Sequence, residues 1–292
     1  MKRHVAIVSY FSVGAYDANT VDENLILSEI LTELKTSHEI VCWSDPQVDW
    51  SKFSLLFIKS TWDYFDYYPE FLTWLETIRT HEIPTLNNLD TILWNSSKRY
   101  LLEIESKGFP VIAGMILEKG RLISKVEIEG KVKSESWVVK PLVSGGAKNT
   151  LKFASEDWDK HVGKVQAWVN EEAFLVQPFI SEVEKVGEYS LLFFNGEFSH
   201  AVLKTPAKKD FRVQHYFGGT IKSIDPSASM LASCQALVDE FASDSLYVRV
   251  DGVEVEGQFH LMELEMIEPY LFLAICEQAI PTYKKAIAAR LV

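Results

Sequence analysis

The chain has 292 residues, 47% of them hydrophobic and 24% charged, which excludes an intrinsically disordered or fibrous protein. Its 41 acidic against 29 basic residues give a net charge of −12, which argues against nucleic acid or an anionic membrane as the main partner. The 3 cysteines are scattered without a CxxC pair, and no apolar run reaches the ~18 residues of a membrane span, so neither a disulfide framework nor a transmembrane helix is expected and the default location is cytoplasmic.

After Met1-Lys2-Arg3-His4, the short apolar run Val5–Val8 stops at Ser9 and reads as a buried strand, not a signal-peptide core. A polar loop leads to a helix expected from about Val21 to Leu34, with Leu25, Leu27, Ile30, Leu31 and Leu34 on its apolar face. Val41-Cys42-Trp43 and Phe53–Ile58 look like further strands, and Pro69 opens a helix with Phe71, Leu72, Trp74, Leu75 and Ile78 on its buried stripe. This alternation predicts a small parallel α/β lobe, in which ligands lie beyond the carboxyl ends of the strands, at Ser9–Asp17 and Ser60–Tyr64. Asn95 or Ser96 is expected to cap a helix running to about Ser106, with Lys98 in its first turn, where a cation opposes the helix dipole. Beyond Gly130 the pattern is one of short strands, with Asn195-Gly196 as a strong hairpin signal.

Two segments can carry chemistry. In Lys140-Pro141-Leu142-Val143-Ser144-Gly145-Gly146-Ala147-Lys148 a strand ends in lysine and enters a glycine loop, an arrangement able to lay N–H groups and a cation against a phosphate chain. The lysine precedes the glycines, so this is not a Walker A loop, and taken by itself the segment is equally a glycine-rich hairpin with a solvated lysine. In Tyr247–Asp251 the strand period puts Arg249 and Asp251 on one face, and in Leu261–Glu265 it puts Glu263 and Glu265 together. If the two strands pair, three carboxylates and a guanidinium converge, and such oxygen donors suit Mg²⁺ or Mn²⁺. For any one of these pairs a solvent-facing strand is the commoner case. Between the two segments, Phe174–Ile180 offers an apolar linker against which a flat purine could sit, with Glu188 a few residues on for ribose hydroxyls, although by itself such a piece is more commonly a core strand and loop.

In this order the pieces resemble the ATP-grasp superfamily, in particular the branch of bacterial glutathione synthetase, D-alanine–D-alanine ligase and the cycloserine-forming cyclo-ligase. Lys98 and Lys140 match the family's phosphate-binding lysines, and Ser144, Gly145 and Gly146 open its mobile flap. Gln177, Phe179 and Ile180 match the adenine linker, Glu188 the ribose-binding acid, and Lys204 and Arg212 the cations on the terminal phosphate. Arg249 and Asp251 look like the R-x-D element, and Glu263-Leu264-Glu265 like the E-x-N metal motif, with Glu265 where the family often has Asn. Met266-Ile267-Glu268-Pro269 lacks the small hydroxyl residues usual before the proline. Ser60–Tyr64 and Trp94–Lys98 look most like the cycloserine-forming ligase and its relatives.

The resemblance implies an α/β chain with α+β lobes: a Rossmann-like pre-ATP-grasp lobe over 1–92, a small ATP-grasp lobe with the flap over 93–180, and a C-terminal lobe over 181–292. It implies an ADP-forming ligase joining a small-molecule carboxylate to an amine through an acyl-phosphate, with ATP and Mg²⁺ (or Mn²⁺) held by Asp251, Glu263 and Glu265. Lys98, Lys140, Lys204 and Arg212 would hold phosphates, Lys148 would approach them from the flap, and Arg249 would steady the oxyanion. Homo-oligomers are common in the family. Rival readings are a non-catalytic nucleotide-binding scaffold and a small-molecule kinase on the same fold. No general base stands out, since His4, His200, His215 and His260 have no partner assignable from the sequence.

Overall fold

Central strands of a parallel sheet are covered on both faces and therefore read as continuous apolar runs. In the computed structural model, which describes residues 3–11, 22–207, 212–213 and 218–291, two such runs form β1 (His4–Ser9) and β3 (Leu55–Ser60). They lie in a parallel sheet of order β2-β1-β3-β4, with β2 at Ser37–Cys42 and β4 at Thr85–Leu86. β2 begins earlier than the expected Val41–Trp43, because an edge strand is half exposed and its residues Ser37, His38 and Glu39 hide the pattern. Helix α1 (Glu23–Glu33) starts where Asp22 accepts the N–H groups of Asn24 and Leu25; Val21 lies outside the described residues, and Leu25, expected on the apolar face, is exposed because it sits two residues, about 200°, from the buried Leu27. Helix α2 (Tyr68–Thr80) carries Pro69 in its first turn and buries the expected stripe except Leu72, which is half-buried at its margin.

The helix expected from Asn95 or Ser96 to Ser106 starts later, at Tyr100, and Asn95 instead ends a separate helix before it. Asn88 caps α3 (Leu89–Asn95) by accepting the Thr91 N–H at 2.8 Å, and α4 spans Tyr100–Ser106. Lys98 lies in the turn between them and not in a helix's first turn, because its N–H donates to the Leu142 carbonyl at 2.8 Å. Asn95 is therefore free to bridge elsewhere.

The second sheet is antiparallel, of order β5-β8-β6-β7, with β5 at Met115–Leu117, β6 at Ser136–Pro141, β7 at Leu151–Ala154 and β8 at Phe174–Pro178. Helices α5 (Lys125–Lys131) and α6 (Trp158–Glu171) supply residues to its core around Trp137, Phe153 and Phe174. The strand-rich expectation after Gly130 missed α6, whose buried residues Trp158, Val165 and Val169 are a narrow stripe in a polar segment.

The third sheet, also antiparallel, has the order β11-β10-β9-β12-β13. Its strands are β9 (Glu188–Phe194), β10 (Glu197–Thr205), β11 (Thr220–Ile224), β12 (Tyr247–Val255) and β13 (Gln258–Glu265). Asn195-Gly196 forms the expected hairpin with φ of 50° and 78°, and Glu256-Gly257 repeats it between β12 and β13 with φ of 51° and 81°. One face, with Leu191, Phe193, Val248 and Val250, packs on α4 and on α8 (Ala228–Phe241), the helix that follows the short α7 (Glu182–Lys185) in the chain. The other face is divided. Leu192, Phe194, Val202 and Tyr247 pack against Val5, Ile7 and Leu27 of the first lobe and Tyr283 of α9 (Ala279–Arg290), while the same face continues into charged residues beyond them.

Polar side chains join the first lobe to this sheet. Asn87 donates to the Tyr247 and Met266 carbonyls, both at 2.8 Å, and accepts the Leu246 N–H at 2.6 Å. Asn95 donates to the Leu264 carbonyl at 2.6 Å and accepts the Met266 N–H at 2.9 Å. A fully buried ion pair, Lys59 with Glu23 at 2.9 Å, completes the seam. Its ammonium also donates to the Pro269 carbonyl, and its carboxylate accepts the N–H groups of Leu271 and Leu273.

Candidate active site

Alternation along antiparallel strands puts every second residue on one face. On the divided face of the third sheet this places Glu188 and Ser190 of β9, Lys204 of β10, Arg249 and Asp251 of β12, and Glu263 and Glu265 of β13 together, with Arg249 opposite Glu265 and Asp251 opposite Glu263. Lys140, at the end of β6, reaches across from the second sheet to Glu263 at 2.9 Å. Lys98 stands 3.8 Å from the same carboxylate and donates to the Ser144 carbonyl at 2.8 Å and hydroxyl at 3.2 Å. These groups, except the buried Ser190, line a cavity of about 580 Å³ between the sheets, together with Ser144, Gly145, Gly146, Gln177, Phe179, Ile180 and Arg212. The site residues expected from the sequence thus border one space, except Lys148, which turns to Asp66.

The charges are arranged as a chain of pairs. Asp251 is bound side-on by Arg249, at 3.0 and 2.9 Å, and accepts from Lys204 at 3.0 Å and the Ser190 hydroxyl at 2.6 Å. Burial works against its ionisation, but Arg249 and Lys204 hold it well below the usual carboxylate range. Lys204 also contacts Glu188, and Arg249 contacts Glu265 and donates to the Tyr270 carbonyl at 3.0 Å. Burial likewise opposes Glu263, yet Lys140 and Lys98 bring it down to about 2. The balance fails at the next two acids. Burial pushes Glu265 up to about 7, Arg249 offsetting only part of it and Asp251 and Glu263 adding to it, and burial with the charge of Glu265 pushes Glu268 up to about 8.

The flap is built on strained turns and close approach. Gly146, Ala147 and Asn149 have φ of 57°, 59° and 51°. A Cβ on Gly145 would lie 2.5 Å from the Phe65 ring, so the flap lies directly against the first lobe's Trp62–Asp66 loop, where Lys148 contacts Asp66. In the linker, Phe179 spends its N–H on the Ser136 carbonyl and Gln177 turns its amide to Ile112, which leaves the Ile180 N–H without a partner among the described residues.

A divalent cation suits this donor set, which is all carboxylate oxygen. Among the described residues no three His, Cys, Asp or Glu side chains stand as a ready-made cage, because Asp251, Glu263 and Glu265 are each turned onto a cation. The histidines stay outside the chemistry: His200 bonds the Leu271 carbonyl and Ser199, His4 bonds Ser37 and Glu39, and His260 bonds Gln258. His215 and most of Ser9–Asp17 lie outside the described residues. Sequence reasoning missed Ser190, which shares the parity of Glu188, and passed over Glu268 and the Tyr270–Ile275 wall, whose irregular backbone has no period to read.

Comparison with known proteins fits this geometry. Residues 121–279 match the model of the prokaryotic glutathione synthetase ATP-grasp domain, and residues 5–87 that of the N-terminal domain of D-cycloserine synthetase DcsG. The cycloserine biosynthesis protein DcsG of Streptomyces lavendulae is 27% identical over 267 residues, covering 87% of this chain and 88% of that protein. A crystal structure of D-cycloserine synthetase DcsG superposes with a TM-score of 0.86 at 24% identity, over 99% of this chain and 100% of that one. The D-alanine–D-alanine ligase of Bacillus anthracis complexed with ATP has the same fold, with a TM-score of 0.66 at 13% identity over 99% and 98%.

Proposed function

The chain belongs to the prokaryotic glutathione synthetase ATP-grasp family and is an ATP-dependent carbon–nitrogen ligase, and from that premise we propose that it joins the carboxylate of an amino acid or related small molecule to an amine in the cavity between its second and third sheets. The observation that supports this reading most is the convergence of Lys98, Lys140, Lys204 and Arg249 on a face shared with Asp251, Glu263 and Glu265. The γ-phosphoryl group passes to a substrate carboxylate oxygen, giving ADP and an acyl-phosphate. The amine nitrogen then attacks the acyl carbon and loses a proton, and phosphate leaves.

Each residue has a part that its surroundings allow. Lys98 and Lys140 share one carboxylate, Glu263, so an arriving phosphate chain gives both a second anion and frees that carboxylate. Lys204 is kept protonated against burial by Asp251 and Glu188, and serves as a fixed positive charge at the transferring group. Arg249 and Arg212 face the acyl centre and steady its oxyanion. Asp251, Glu263 and Glu265 would hold Mg²⁺, or Mn²⁺ in its place, which supplies charge neutralisation at the phosphates. The apolar linker takes the adenine, with Glu188 at the ribose. The flap, from Ser144 onward, excludes water from the acyl-phosphate.

Incubation with ATP, Mg²⁺ and a panel of amino acids tests the reading. Amide product with stoichiometric phosphate is expected; a phosphorylated product would make the protein a kinase, and binding without turnover a scaffold.

A further inference from the structure

Glu268 is the acid for which the chain of ion pairs has no member left. Among the described residues no lysine, arginine or histidine pairs with its carboxylate. Lys59, whose ammonium reaches the carbonyl of the next residue, Pro269, is committed to Glu23. The carboxylate nevertheless borders the reaction cavity. It lies just past the end of β13, where the Trp62 indole donates to the Glu268 carbonyl at 2.9 Å and where the buried Tyr64 hydroxyl feels its charge. With Phe65, these aromatic side chains form the first lobe's wall of the cavity.

A carboxylate beside aromatic faces is the chemistry that recognises an organic ammonium, through a charge-assisted hydrogen bond and the negative faces of the rings. The same wall does not suit a hydrated divalent ion, which keeps several waters and prefers oxygen on all sides. Lys98 and Arg249 border the same cavity as Glu268, so a substrate held here by its amine has cations within the same space for its carboxylate end.

Resting on the ligase reading above, we propose that Glu268 is the receptor for the substrate's ammonium group and selects amino-bearing carboxylic acids over their des-amino counterparts. Glu268 then sets specificity, and the residues on β12 and β13 set the chemistry.

Phosphate release at saturating Mg·ATP tests this with D- and L-alanine and D- and L-serine against propionate and 3-hydroxypropionate, using wild type, Glu268→Gln and Glu268→Asp. The wild type is expected to turn over at least one amino-bearing acid and not its des-amino counterpart. Glu268→Gln should raise KM for the amino-bearing acid about 10- to 100-fold with kcat within a few-fold, as removal of one charged hydrogen-bond partner does. Glu268→Asp should recover part of that loss, and KM for ATP, unchanged in both variants, reports that the site is folded. An unchanged KM for the acid in Glu268→Gln, or lost kcat at constant KM, overturns the proposal while leaving the ligase reading intact. A wild type that turns over neither these acids nor any of the amino-acid panel overturns both.

Discussion

The protein buries two systems of opposite charge, and they are built on opposite plans. At the seam, Lys59 and Glu23 are 0% and 1% exposed, and the hydrogen bonds to Pro269, Leu271 and Leu273 answer their remaining polar atoms. In the cavity, Asp251, Glu263, Glu265 and Glu268 crowd together, and burial with mutual repulsion leaves Glu265 and Glu268 near 7 and 8. A closed pair makes a staple, and a cluster whose carboxylates share its cations unevenly is a site that can exchange partners when ligands arrive. The two plans should respond differently to substitution.

The largest effect is expected in the cluster: Glu263→Gln should lower turnover at least about 1,000-fold with the far-UV spectrum unchanged, since metal-assisted charge stabilisation is worth several kcal/mol. Turnover close to wild type would remove Glu263 from the metal. At the seam the loss should be in stability: Lys59→Met leaves the Glu23 carboxyl buried without its partner, and urea denaturation should show a loss of about 3–5 kcal/mol. A loss below about 1 kcal/mol would mean that the pair is no staple.

The ligand-free protein should also show the imbalance in its pH dependence. Glu265 and Glu268 hold their protons to about 7 and about 8 when folded, against 4.5 ordinarily, so the folded state binds more protons across that interval. Stability therefore falls as pH rises from about 5 to 8. Glu263 and Asp251 titrate below this window, and their contribution is lost only as pH falls through their depressed values. Glu268→Gln should flatten the slope of Tm against pH; an unaltered slope would separate Glu268 from the cluster. Gly145→Ala, which must displace the Phe65 ring, is a smaller perturbation of about 1 kcal/mol, read as an ~5-fold rise in KM for ATP. The exposed Arg99–Glu118 pair sets the floor: Arg99→Ala should change stability by less than about 1 kcal/mol.

What could be read beforehand followed from local periodicity. Arg249, Asp251, Glu263 and Glu265 were legible because an antiparallel pair converts a two-residue period directly into a shared face. Asn195-Gly196 was legible because few sequences accept two positive φ values in succession. The position of Lys98 was not, since its turn is set by the Leu142 carbonyl 44 positions along the chain and the rival cap, Asn88, is equally good. Nor was the seam legible. Glu23 looks like an ordinary acid in a helix's first turn, and only packing reveals that it accepts N–H groups from residues near the other end of the chain.

The two asparagines at the seam have a consequence for how the molecule melts. Asn87 and Asn95 give strand-like hydrogen bonds to Leu246, Tyr247, Leu264 and Met266, whose backbone groups would be buried and unanswered without them. Opening the first lobe leaves the Leu246 N–H and the Tyr247 and Met266 carbonyls without Asn87, whereas Asn95, beyond residue 92, keeps its bonds to Leu264 and Met266. Heating should therefore give one calorimetric transition with matching calorimetric and van't Hoff enthalpies, and chain cleavage near residue 92 should leave two fragments that fold only in each other's company.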